Sequence, residues 1–256
     1  MPLLFTIVLF AAFGGIASAA FAVVFLWVRE PHSARILPHF VSFATGALLG
    51  AALLALLPEA MERAGAGGAH GVGVALLAGL GVFFIIEKLV LWWHAGHSHG
   101  AHDHAREHAS GVLVLVGDSL HNALDGVLIA AAFLTSASLG LVTTLAVAAH
   151  EIPHRVGDFA ILVQAGFSRP RALLLNLATG VASVLGAVIA YFGLRRAMGA
   201  LPYALALAAA GFLYIAVAGL IPGLHRRSDP WTSAIQVILI ALGVAVVAVA
   251  EALSHQ

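Results

Sequence analysis

The chain has 256 residues, of which 61% are hydrophobic and only 9% charged, with a mean hydropathy of +1.02 and a formal net charge of zero. A soluble domain carries about 25% charged residues, so the composition excludes an ordinary soluble enzyme and indicates an integral membrane protein. Zero net charge gives no electrostatic footprint for nucleic acid, and the absence of cysteine leaves only His, Asp, Glu, Asn and backbone oxygens as metal ligands.

A membrane-spanning helix needs about 20 mostly apolar residues. Eight segments qualify, at about 3–28, 39–60, 72–93, 111–134, 139–166, 172–194, 202–222 and 231–253. The expected fold is therefore an all-α polytopic membrane protein, a single transmembrane domain over residues 1–256. The first segment has no basic residues before it and is too long for a signal peptide's apolar core, so it reads as a retained span. Span 2 closes on LLPEA. Span 3 closes on Trp92-Trp93, an interfacial anchor. A His-rich loop, 94–110, follows it. Spans 4 and 5 are joined by a short Thr-Ser-Ala-Ser connection.

The loops after spans 1, 3, 5 and 7 contain Arg29, Arg35, Arg106, Arg169, Arg171, Arg226 and Arg227, against Arg63, Arg195 and Arg196 on the opposite side. Basic residues favour the cytoplasm. The expected localisation is the cell (inner) membrane, with both termini outside and the His-rich loop inside. Span 2 (FATGALLGAALLALLPEA) and span 7 (LAAAGFLYIAVAGLIPGL) resemble one another, and this topology gives them opposite orientations, as in an inverted repeat.

The polar residues within the spans carry the functional signal. In span 5, His150, Glu151, His154 and Asp158 fall three or four residues apart, on one helical stripe. In span 4, Asp118, His121, Asn122 and Asp125 do the same. An ionised carboxylate in mid-bilayer costs at least about 2.5–3.5 kcal/mol. Neither stripe can face lipid, and the two are expected to face each other and share a divalent cation. Imidazole and carboxylate suit zinc, with iron(II), manganese and cadmium chemically admissible. Asp118 and Asp158, one turn out, are candidates for the ion pathway or for supporting the ligands. Pro153 removes a helical hydrogen bond and is expected to kink span 5 and open its backbone at the ion.

An alternative reading takes His150-Glu151-Ile152-Pro153-His154 as the H-E-x-x-H motif of a zinc-dependent intramembrane metalloprotease. A proline between the two histidines, Arg155 beside the would-be base and the unneeded stripe on span 4 weigh against hydrolysis. The expectation is a transporter rather than an enzyme, with no catalytic residues.

HNALDG in span 4 and HEIPHRVGD in span 5 resemble the signature helices of the ZIP (Zrt/Irt-like) metal transporters, HNxxDG and HEIPHExGD. The likeness extends to LLPEA closing span 2, to the His-bearing loop after span 3 and to NLATG in span 6. The resemblance implies an eight-helix bundle built as a 3+2+3 inverted repeat around spans 4 and 5, moving divalent metal, most often zinc, into the cytoplasm. It implies a primary site of His121, Asp125, His150 and His154. An adjacent second site would use Asn122 and Glu151, with His154 between the two. Arg155 departs from the family pattern, which commonly has glutamate there. Four residues after Glu151, Arg155 is expected to pair with it and to replace the second ion electrostatically. His97, His99, His102 and His104 of the loop are candidates for accessory metal binding. The implied partners are a divalent metal ion and the lipid bilayer, with a homodimer as an open alternative.

Overall fold

The computed structural model describes residues 2–18, 30–96, 103–225 and 229–254. Among these residues there is no strand. The helices are α1 (Pro2–Ala12), α2 (Glu30–Gly50), α3 (Leu57–Ala64), α4 (Ala69–Gly96), α5 (Asp103–Thr135), α6 (Ala137–Gln164), α7 (Arg169–Thr179), α8 (Val181–Arg196), α9 (Leu201–Tyr214), α10 (Ile221–Leu224) and α11 (Pro230–Ser254). Five continuous helical stretches are long and apolar enough to cross a membrane: Ile36–Ala64, Ala69–Leu89, Arg169–Arg196, Met198–Leu224 and Pro230–Leu253. The polar stripes keep α5 and α6 out of that set, and α1 belongs to the shorter apolar stretch Pro2–Ile16.

The observed boundaries correct several expectations. Helix α4 continues to Gly96 and α5 begins at Asp103, so both ends of the expected 94–110 loop are helical, including the backbone at His94, His104 and His108. His97, His99 and His102 lie outside the described residues, as do Arg29, Arg226, Arg227 and the second half of span 1. Pro153 does not break its helix: α6 runs uninterrupted from Ala137 to Gln164 with the proline inside. The interruptions fall elsewhere. π-helical turns occupy Phe13–Ala17, Ala51–Leu56 and Ile215–Leu220, and Gly180 separates α7 from α8.

Helices α5 and α6 form a tight antiparallel hairpin around Ser136. Its backbone is extended, and its Oγ accepts from the Leu139 N–H at 3.1 Å, capping α6. At its other end α6 stops at Gly166, whose φ of +86° suits glycine. There the Phe167 N–H donates to the Leu162 carbonyl and the Gly166 N–H to the Val163 carbonyl, a Schellman closure. His121 lies 14 residues before Thr135 and His150 lies 13 after Ala137, so both sit about 20 Å from the turn along their axes. The hairpin alone thus brings the two polar stripes to one depth.

The hairpin is packed against α8, α2 and α9 through small residues. Gly126 of α5 lies against the Ser183 carbonyl of α8, and Gly186 of α8 against the Ala123 carbonyl of α5. Backbones this close leave no room for Cβ. Gly126→Ala should therefore lower the melting temperature of the detergent-purified chain, at a cost of about 1–3 kcal/mol or more. Gly193→Ala, in open space on α8, should leave it unchanged or slightly raised.

Two helix pairs flank this centre, α2 with α11 and α9 with α4, and they make reciprocal contacts. Gly243 of α11 abuts Phe43 and Gly46 of α2, while Gly79 of α4 abuts Leu207 and Ala210 of α9. One constant shift in numbering carries Phe43 and Gly46 onto Leu207 and Ala210, and Gly79 onto Gly243. The same shift carries the turn Ala51–Leu56 and Pro58 onto Ile215–Leu220 and Pro222. Gly15 and Gly180 also meet reciprocally, each placed 2.8 Å from the other's carbonyl oxygen by a hypothetical Cβ.

Candidate metal centre

The inner stripe of the α5–α6 hairpin converges on a cluster of four side chains. Ligand atoms of His121, Asp125, His150 and Glu151 all lie within 4.8 Å of one another. His121 Nε2 is 3.2 Å from His150 Nε2, 3.8 Å from Asp125 Oδ2 and 3.6 Å from Glu151 Oε1. His150 Nε2 is 3.5 Å from Asp125 Oδ2 and 3.9 Å from Glu151 Oε1. Ligands about 2.0–2.1 Å from a tetrahedral zinc ion are separated by about 3.3 Å. The cluster is therefore close to the size that one such ion requires.

The donors are also prepared electronically. His150 Nδ1 donates to the Ala146 carbonyl at 3.1 Å. A carbonyl can only accept, so the proton sits on Nδ1 and Nε2 presents its lone pair to the cluster. Asp125 Oδ2 and Glu151 Oε1 are buried and accept no hydrogen bond. Orphaned carboxylate oxygens in an apolar interior are costly, and a shared divalent cation would satisfy both.

His154 is placed differently from the resemblance. It belongs to a second grouping with Asp118 and Glu151. Its Nδ1 is 2.9 Å from Asp158 Oδ2 and 3.6 Å from Asp118 Oδ1. Its side chain is 44% exposed, whereas that of Glu151 is fully buried. Its ring lies over that of His121 with centroids 5.3 Å apart. His154 thus stands at the open edge of the cluster, while Asp118 and Asp158 form its outer margin.

Arg155 is fully buried, and its guanidinium is ringed by acceptors. The Nε is 2.9 Å from Glu151 Oε2, confirming the expected pairing along the helix. Nη1 donates to Asp118 Oδ2 at 2.8 Å, to the Asn176 carbonyl at 2.8 Å, to Asn176 Oδ1 at 3.2 Å and to Thr179 Oγ1. Nη2 donates to Asn122 Oδ1, with the Gly15 carbonyl at 3.5 Å. Asn122 is committed on both sides, since its Nδ2 donates to the Asp118 carbonyl and to Asp118 Oδ1. Asn122 and Glu151, the residues expected to build a second metal site, instead hold the arginine.

Sequence reasoning passed over Asn176 and Thr179 as functional residues. Both lie in NLATG of α7, both are buried, and Asn176 Nδ2 donates back to the Arg155 carbonyl at 2.9 Å. Their signal was two polar side chains one turn apart in an apolar helix, which identifies a polar partner without naming it.

A family model described as ZIP zinc transporter matches residues 2–113 and 102–251. The chain is 36% identical over 231 residues to zinc transporter ZIP13 of Pongo abelii, an alignment covering 86% of this chain and 68% of the relative. It is 34% identical over 266 residues to ZIP13 of Homo sapiens, covering 86% and 72%. Against zinc transporter SLC39A7 of Mus musculus it is 31% identical over 315 residues, covering 90% and 66%. The matching relatives bear transporter names, which disfavours the protease alternative. With nearly all its length matched and the HNALDG and HEIPHRVGD helices facing each other, the chain belongs to the ZIP zinc transporter family.

Proposed function

We propose that this protein carries zinc across a membrane toward the cytoplasm, through a site between α5 and α6 that holds one ion. The observation that carries this reading is the set of four buried donors, His121, Asp125, His150 and Glu151, at the mutual distances of a zinc coordination shell. His154, half-exposed beside Asp118 and Asp158, receives or releases the ion at the edge of that shell. The resemblance makes His154 a primary ligand. A rotation of its side chain toward His121, on which it already stacks, joins it to the four.

The ion is single because Arg155 occupies the neighbouring position. A guanidinium hydrogen-bonded to Asn122 and Asp118 and ion-paired with Glu151 supplies positive charge where a second metal would otherwise bring it. Iron(II), manganese and cadmium fit the donor types less selectively and serve as competitors.

The architecture is an eight-span bundle with a 3+2+3 inverted repeat. The reciprocal contacts of Gly79 and Gly243, and the two π turns each leading into a proline, support that repeat. In such transporters the site lies between the repeats, which is where the α5–α6 hairpin stands. The chain is a single transmembrane domain of the cell membrane with both termini outside. The His-rich segment, with His97, His99, His102 and His104, offers accessory metal binding on the cytoplasmic side.

Right-side-out vesicles containing the full chain test direction and cargo together. Zinc should enter down its gradient, with cadmium, manganese and iron(II) competing. Zinc binding without flux would demote the protein to a metal-binding membrane protein, and flux in the outward sense alone would reverse the topology.

A further inference from the structure

The Arg155 cage reaches beyond the two signature helices, and its acceptors on α7 match the guanidinium in a way that Lys could not reproduce. Arg presents five N–H donors in a fixed fork. The edge of that fork facing α7 meets the Asn176 carbonyl, Asn176 Oδ1 and Thr179 Oγ1. Asn176 also grips the Arg155 backbone, donating Nδ2 to its carbonyl at 2.9 Å. Thr179 is itself fixed, its hydroxyl lying 2.7 Å from the Asn176 carbonyl. None of these α7 atoms belongs to the four-donor cluster.

The geometry matters because Arg155 is a cation next to a cation site. With the guanidinium held back on α7, Oε2 is the Glu151 oxygen it meets, and Oε1 faces His121 and His150. Unheld, the same long side chain is attracted to unsatisfied anionic oxygens, among them Glu151 Oε1 and Asp125 Oδ2. There it would compete with the metal for its own ligands.

We propose that Asn176 and Thr179 are positioning residues: they hold the Arg155 guanidinium away from the metal ligands, and zinc affinity at the four-donor cluster depends on that hold. The inference rests on the single-ion reading above. It makes α7, through Arg155, a determinant of how tightly α5 and α6 bind their cargo.

The test is a double-mutant cycle on the detergent-purified full chain. Zinc affinity is read by competition with a chromophoric chelator, and folding by size exclusion. Asn176→Ala and Thr179→Val should each weaken zinc binding by roughly 10–100-fold, the range for partners just outside a metal's ligand shell. Thr179→Ser, which keeps the hydroxyl, should restore wild-type affinity. In an Arg155→Lys background the ammonium lacks the fork that Asn176 and Thr179 hold, so Asn176→Ala should weaken binding by less than about 3-fold; strong coupling of this kind is what such cycles detect.

Equal losses in both backgrounds, or a Thr179→Ser protein as weak as Thr179→Val, would overturn the proposal in favour of simple helix packing. Should Asn176→Ala aggregate, the Thr179→Ser and Thr179→Val pair decides alone. Unchanged zinc affinity in a His150→Ala variant, with α7 and Arg155 intact, would refute the four-donor site on which the single-ion reading rests, an outcome distinct from failure of the cycle.

Discussion

Replacing His121 and His150 together by alanine should abolish zinc flux while the chain still folds. The two imidazoles contribute the only nitrogen atoms in the four-donor cluster, and their Nε2 atoms lie 3.2 Å apart. Without them the ion retains Asp125 and Glu151, two carboxylates that cannot complete a tetrahedral shell. Losing even a supporting partner outside the shell costs about 10–100-fold in affinity, so losing two ligands exceeds that range. Folding survives because neither imidazole joins the Arg155 network that ties α5 and α6 to α7. His121 is partly exposed, and His150 contacts the Ala146 carbonyl within its own turn, His121 and Asp125. Flux into reconstituted vesicles and the size-exclusion profile measure the two halves of this result. Substantial flux from the double variant would place the transport site elsewhere.

Converting Arg155 to the family's glutamate has the second-largest effect, and its sign depends on metal. In Arg155→Glu, a new buried carboxylate joins Asp118 and Glu151, with the guanidinium that paired with both gone. Breaking a buried ion pair by removing one partner costs about 3–5 kcal/mol, so the metal-free variant should melt well below wild type. Saturating zinc should recover a large part of the loss. Glu151, Asn122 and the new carboxylate are released to bind a second ion, and a ligand at about 100 times its Kd stabilises by about 2.7 kcal/mol. The bound stoichiometry should rise from one to two. Equilibrium dialysis with metal analysis reads the stoichiometry, and melting with and without zinc reads the stability. Two ions on the wild-type chain, or one on the variant, would break the link between Arg155 and the count.

These two expectations rest on different amounts of sequence information. His121, Asp125, His150 and Glu151 were legible in the chain because local periodicity places them. Spacings of three and four fix a helical face whatever the helix packs against, and polarity in a membrane forces that face inward. The pairing of Arg155 with Glu151 is legible for the same reason. His154 shows the limit of periodicity. It shares the stripe of His150, yet it stands one turn further along the helix, and its imidazole is drawn to Asp158 and Asp118 rather than to the four-donor cluster. Pro153 shows another limit. The helix continues on both sides of it, while π turns appear in other helices at positions marked by no proline within them.

What the sequence by itself determined is the class and the chemistry. A mean hydropathy of +1.02 with 9% charge requires a membrane, and eight polar side chains on two helical stripes require a shared cation or mutual pairing. Those conclusions follow from the free energy of placing charge in hydrocarbon, which needs no coordinates. Tertiary structure alone decided who neutralises whom. Asn176, Thr179 and the Gly15 carbonyl are distant from Arg155 in sequence, and only the packing of α7 and the Phe13–Ala17 turn against α6 brings them around its guanidinium. A helix records in its sequence which of its faces is polar. The identity of the partner depends on the relative placement of separate helices, set by contacts as close as Gly126 on Ser183 and Gly15 on Gly180, which no single segment encodes.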